Sequence, residues 1–135
     1  MSTVGVALRK SLLTLDLSGL SSRQVTAEIT ADVHRVLLGL GMGKVVRELS
    51  TGGKLQPPSA APPRNGYVDV AVVHGDEVVL VVEIDRSDKR FSLTKLEYFF
   101  SNGSQAIWIR WGRATRIDIP IGIELIEIPI KKGTG

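Results

Sequence analysis

The chain contains no cysteine, so structural disulfides and thiolate metal ligands are closed to it, and nothing in the composition points to an oxidising compartment. No apolar run approaches the roughly 18 residues a bilayer span requires. The Leu-rich N-terminal stretch is broken by Lys10 and Asp16 and lacks a cleavage-site pattern, so neither a membrane anchor nor a signal peptide is expected. Histidine is scarce: His34 stands far from His74, which falls in a turn, and neither makes a strong general-base candidate. A large excess of one charge is also missing. The net charge of +3 and pI near 9.4 are compatible with a polyanionic partner without demanding one. The expectation is a cytoplasmic protein with no membrane partner.

What is present is an average globular composition, with 43% hydrophobic and 23% charged residues, which argues against disorder and fibrous repeats. A chain of 135 residues is long enough for one real core and too short for two comfortable ones, so residues 1–135 are read as a single domain.

The first twenty residues hold the apolar stretches VGVAL and SLLTLDL, open to reading as a peripheral strand, an irregular arm or an oligomer contact. From Val25 the residues Val25, Ile29, Val33, Val36, Leu37 and Leu40 recur at helical spacing. Ser21 and Gln24 supply a capping-box start, and Gly39 to Gly43 the end. KVVREL (Lys44 to Leu49) suits a short strand, and the Pro-, Gly- and Ser-rich run Ser50 to Gly66 a long loop, either functional or an inert insertion. YVDVAVV and VVLVVEID, joined by HGDE, predict an antiparallel hairpin. Ser92 can cap a second helix with Leu93, Leu96, Phe99 and Phe100 buried and Gly103 as its stop; QAIWIRW then makes a third strand. The order strand, helix, strand makes the flanking strands parallel, so the sheet is mixed. Residues 113–135, with alternating apolar residues and two prolines, suit edge strands or an extended arm able to pair with another subunit. Trp108 and Trp111 are expected on opposite faces, one in the core and one exposed.

The chemistry concentrates in VVEID. Period-two geometry puts Glu83 and Asp85 on one face at the end of a strand whose preceding residues are all apolar. Asp69 interrupts the partner strand, and pairing across the turn can bring it to Glu83; an aspartate there is costly unless paired or metal-bound. Three converging carboxylates suit Mg²⁺ or Mn²⁺ far better than zinc, and such a metal can promote phosphodiester hydrolysis. The basic residues Arg86, Lys89, Arg90, Arg110, Arg113 and Arg116 could frame a phosphate backbone, with ordinary surface charge as the plain alternative.

Glu28 on the first long helix, Asp69 in a hairpin, Glu83-Ile84-Asp85 at a strand end and Lys95 on the following helix together resemble the PD-(D/E)xK nuclease superfamily, over roughly Val25 to Trp111. The resemblance implies an α/β, restriction-endonuclease-like mixed sheet flanked by helices. It implies metal ligation by Asp69 and Glu83, with Glu28 matching the first-helix acid and Asp85 a further candidate ligand. The lysine expected two residues after the second acid is Asp85 here. The run EIDRSDKRFSLTK is similar to branches resembling very-short-patch repair endonucleases, in which Lys95, ahead of Lys89, would supply a migrated lysine.

The expected function is therefore that of a Mg²⁺- or Mn²⁺-dependent endonuclease-like protein acting on DNA as a homodimer. Asp69, Glu83, Asp85 and Lys95 are its candidate catalytic residues, and Asp69, Glu83, Asp85 and Glu28 its candidate metal ligands. The alternatives are a catalytically silent member of the fold that binds nucleic acid or a protein, and an oligomeric assembly protein. Glu28 and Lys95 also have ordinary readings, as a solvated helix residue and a solvent-facing lysine paired with an acid.

Overall fold

The structure, a computed structural model, describes residues 1–130. The end of the arm expected over 113–135 therefore lies outside the described residues.

The first apolar stretch is neither a strand nor an arm but a helix, α1 (Thr3–Leu12). Val4, Leu8 and Leu12 recur every four residues and are buried on one side, and the Ser2 hydroxyl accepts from Gly5 N at 2.9 Å to cap it. The second helix, α2 (Ser22–Leu40), starts where its capping box dictates. Ser21 Oγ accepts from Gln24 N at 3.2 Å and Gln24 Oε1 accepts from Ser21 N at 2.8 Å. It ends at Gly41, whose φ of 66° suits a residue without a Cβ. The two helices are tied by Ser11, which donates to the buried Asp32 at 2.8 Å while Asp32 also pairs with Arg35.

A five-stranded sheet follows in the order β1 (Lys44–Leu55), β2 (Arg64–His74), β3 (Glu77–Asp85), β4 (Gln105–Trp111), β5 (Ile123–Ile128), with α3 (Arg90–Ser101) between β3 and β4. The β1/β2 and β2/β3 pairs are antiparallel and the β3/β4 and β4/β5 pairs parallel, so the sheet is mixed as expected. The segment expected as a loop from Ser50 to Gly66 shrinks to residues 56–63, because Lys54 pairs with Asn65 and Leu55 with Arg64. Gly52 and Gly53 do not end the strand but absorb a register shift. Thr51 Oγ1 accepts from Gly66 N at 3.2 Å and donates to Gly53 O at 2.7 Å, closing the irregularity. The C-terminal segment pairs with its own chain through β5, between Pro120 and Pro129.

Strand alternation divides the core. Val70, Val72, Leu80, Val82, Ile84, Ile107 and Ile109 meet α1 and α2, whereas Ala71, Val81, Ala106 and Trp108 meet Leu93, Leu96 and Phe99 of α3. Each fully buried Leu, Ile or Val contributes roughly 1.5–3 kcal/mol, so the central strands, covered on both faces, anchor the fold. Two expectations about α3 change. Ser92 does not cap it, since the helix begins at Arg90 with no side-chain cap, and Phe100 is 44% exposed at the rim, a residue's turn away from the buried Phe99. Trp108 and Trp111 do face opposite layers, but both are buried. Among the described residues no helix is long and apolar enough to cross a membrane.

Candidate functional site

The β2/β3 ladder runs from the turn as far as Val70 opposite Val82 and then stops. The next facing residues are Asp69 and Glu83, and there the side chain takes over from the backbone: Asp69 Oδ2 accepts from Ile84 N at 2.7 Å. The strands thus part where two acids stand across from one another, at the carboxyl end of β3 beside the parallel strand β4.

Period-two alternation turns Glu83 toward α3, where it is only 2% exposed. Lys95 reaches down from α3 to place Nζ 2.8 Å from Glu83 Oε1 and 2.8 Å from the Tyr67 carbonyl, to which it donates. Oε1 is itself buried, and the Lys95 ammonium is the cation that faces it. Gly66 is what lets the lysine pass: a Cβ there would come within 2.8 Å of Lys95 Cγ. Phe91 flanks the ammonium, 5.5 Å from its ring centre.

Burial and like charge leave this pair reluctant to ionise. Desolvation first, and then the Asp69 charge, push the Glu83 carboxyl up to about 9, with Lys95 pulling the other way. Asp69 is also raised, mainly by desolvation, against the opposing hydrogen bond from Ile84 and a further one shared with Glu83. With the like charge of Asp69 and the Lys95 ammonium beside it, the buried Glu83 carboxyl keeps its proton at neutral pH.

Asp85 sits on the same face, 6% exposed, and its charge raises both neighbours, but it has partners of its own. Oδ2 accepts from Trp108 Nε1 at 2.8 Å, and Oδ1 lies 3.8 Å from Lys89 Nζ. Glu28 is exposed on α2, in the layer on the other side of the sheet from Lys95. The structure therefore brings Asp69, Glu83 and Lys95 together, holds Asp85 beside them, and leaves Glu28 apart. Among the described residues no group of three or more His, Cys, Asp or Glu side chains is arranged to hold a metal ion. The donor set at this spot is a pair of carboxylates, which suits a hard, largely hydrated cation such as Mg²⁺ better than an all-protein cage.

One member of the basic frame is not available to a ligand. Arg110 is 1% exposed and fully engaged. Its Nε and Nη2 donate to Asp88 Oδ1 at 3.1 and 2.8 Å, and its Nη1 donates to the carbonyls of Asp85 and Trp111 at 3.1 and 3.3 Å. It is a clamp that fixes the β3–α3 connection, and Asp88 also accepts from Arg116 N at 3.1 Å. Sequence patterning gave no sign of this, since an arginine in QAIWIRW looks like any polar strand residue. In comparisons with known proteins, no family model, no curated protein and no solved structure matches this chain.

Proposed function

We propose that this chain is a metal-dependent endonuclease-like protein of the PD-(D/E)xK type that hydrolyses phosphodiester bonds in DNA. The observation that carries the reading is the constellation of Asp69, Glu83 and Lys95 where β2 and β3 part. Two acids that burial and mutual repulsion keep partly protonated are poorly satisfied by one ammonium, and a divalent cation resolves that conflict. Asp69 and Glu83 would hold Mg²⁺ or Mn²⁺; when bound, such a cation supplies Lewis-acid stabilisation at a phosphate and lowers the pKa of water.

The chain's own residues supply the rest. Lys95 brings a positive charge from α3 to Glu83, in a strand where Asp85 stands instead of the expected lysine, and the Tyr67 carbonyl and Phe91 ring fix its ammonium in advance. Asp85, gripped by Trp108, orients the end of β3, and Arg110 holds the Asp85 carbonyl from behind. Fixed dipoles and charges of this kind act at a phosphate without reorganising during reaction.

The test is cleavage of supercoiled and single-stranded DNA with Mg²⁺ or Mn²⁺, comparing wild type with Asp69→Ala, Glu83→Ala and Lys95→Ala. Cutting should fall by about 10²-fold or more in each variant. A wild type that binds DNA without cutting it would overturn the enzyme reading in favour of a silent binding module. Asp85 in the lysine's place is the observation that favours this second reading. The expected homodimer drew on apolar terminal segments: Val4, Leu8, Leu12, Ile123, Ile126 and Ile128 are buried in the chain's own core, while Val6, Leu13 and Ile121 stay exposed for a contact.

A further inference from the structure

The basic residues after β3 separate in space. Arg110 is consumed as a clamp, while Arg86 and Lys89 meet Arg23 of α2 around a cavity of about 550 Å³ whose wall also includes Ser22, Asp85 and Trp111. That volume is within the range of small-molecule sites and has room for a nucleotide unit rather than a lone ion. Three cations against the single carboxylate of Asp85 leave the wall with an excess of positive charge. The carboxylate itself is occupied, by Trp108 on one oxygen and Lys89 on the other.

Two further features mark the cavity as a place for an oxyanion. It opens at the start of α2, whose first-turn amides have no intrahelical acceptors and whose dipole favours negative charge; the capping box occupies Gln24 N and leaves the amides of Ser22 and Arg23 free of it. Independently, Trp111 is 5% exposed and its indole N–H has no partner among the described residues, an uncommon state for a buried donor. Arg86 is held over this ring, 5.7 Å from its centre, by donating to Ser22 Oγ at 2.9 Å. Because the Ser22 oxygen accepts there, its proton remains to be donated.

We propose that this cavity binds a backbone phosphate of a nucleic-acid strand, at the carboxyl end of β3 and on the α2 side of the sheet, across from Glu83 and Lys95. Arg86 and Arg23 would take the phosphate oxygens, with Ser22 as a neutral donor and Trp111 in the wall beneath Arg86. Asp85 links the two places, since it lines the cavity and its charge is felt at both acids. The nucleic-acid identity of the ligand rests on the nuclease reading; the anion-binding character of the cavity does not.

The measurement is the Trp111 indole N–H resonance, assigned with Trp111→Phe, during titrations in EDTA. The titrants are inorganic phosphate and short single-stranded DNA with and without a 5′-phosphate. Saturable movement of the Trp111 signal with both oligonucleotides, and binding at least about tenfold weaker in Arg86→Ala than in the equally charge-reduced Lys54→Ala, are expected. Arg86→Lys, which keeps the charge without the planar fork, should fall between wild type and Arg86→Ala and guards against a folding defect. A still Trp111 signal, or equal weakening by Arg86→Ala and Lys54→Ala, would overturn the site. Movement only with inorganic phosphate and the 5′-phosphorylated strand would overturn the backbone assignment. Trp111 and Arg86 effects in a wild type that never cuts DNA would sink the nuclease reading and leave the cavity standing. Metal-dependent cutting with no Trp111 response would do the reverse.

Discussion

Raising the pH should destabilise the metal-free protein across a window where most proteins are near their best. The cause is Glu83, whose carboxyl rises from 4.5 in the unfolded chain to about 9 in the fold, chiefly through burial and then through the Asp69 charge. The unfolded chain gives up this proton near pH 4.5, while the folded chain keeps it until about 9. Between those values the unfolded state binds fewer protons, so stability is complete below the lower pKa and drains away as pH climbs to the upper one. Each pH unit in the window costs about 1.4 kcal/mol for one such group, and the full span at most about 6 kcal/mol. Set against a usual folding free energy of about 5–15 kcal/mol, that is a large share. Asp69, also raised, acts in the same direction.

Urea midpoints at intervals from pH 5 to pH 9 in EDTA measure the effect. Wild type should lose stability steadily over this range. Glu83→Gln, which keeps the shape of the protonated acid, should flatten the profile. Asp69→Asn keeps an acceptor for Ile84 N but removes the like charge, so the loss should stop at a lower pH than in wild type. A wild-type midpoint that stays level or rises over this range would refute the reasoning, because it would mean that Glu83 ionises in the fold without penalty. The outcome is independent of whether the protein cuts DNA.

Trp108→Phe should destabilise the fold by about 1–3 kcal/mol, more than its small loss of apolar volume accounts for, because the buried Asp85 Oδ2 loses its indole donor; a chemical denaturation curve reads this, and Trp108→Phe with Asp85→Asn should recover part of the loss. Gly5→Ala should destabilise α1 although alanine is the better helix former, since its Cβ would collide with the Glu124 carboxylate that Ser2 holds against the helix through its hydroxyl at 2.6 Å; pairing Gly5→Ala with Glu124→Ala should be less harmful than the sum of the two single changes, as a double-mutant cycle would record.

What could be read from the letters was what depends on near neighbours. The Ser21–Gln24 cap, the hairpin around HGDE and the crossover through α3 each follow from a few consecutive residues. Alternation likewise placed Glu83 and Asp85 on one face. What stayed hidden depended on distant partners. Gly52 and Gly53 look like a break in the strand until Thr51 is seen to bridge to Gly66. Val4, Leu8 and Leu12 are too few to announce a helix without the sheet they pack on. Arg110 could not be recognised as buried until Asp88 folded back onto it, nor Arg23 as a neighbour of Arg86 until α2 was laid beside the end of β3.

The position of Asp85 shows how the site's charges fit together. In the parallel register Glu83 lies beside Trp108 and Asp85 beside Arg110. A third acid in that crowded row needs its own donor, and the Trp108 side chain of the neighbouring strand is the one within reach. A lysine at position 85 would have met the Trp108 N–H as donor against donor and, one step on, the Arg110 guanidinium as like against like. Positive charge for Glu83 has to arrive from another direction, and the opening made by Gly66 admits Lys95 from α3. On the proposed reading, then, the aspartate at 85 and the lysine at 95 belong to one arrangement: Trp108 and Arg110 make the strand position unfit for a cation, and α3 supplies it. Exchanging the two charges, with Asp85→Lys and Lys95→Asp in one chain, should therefore fail to restore whatever activity Lys95→Ala removes.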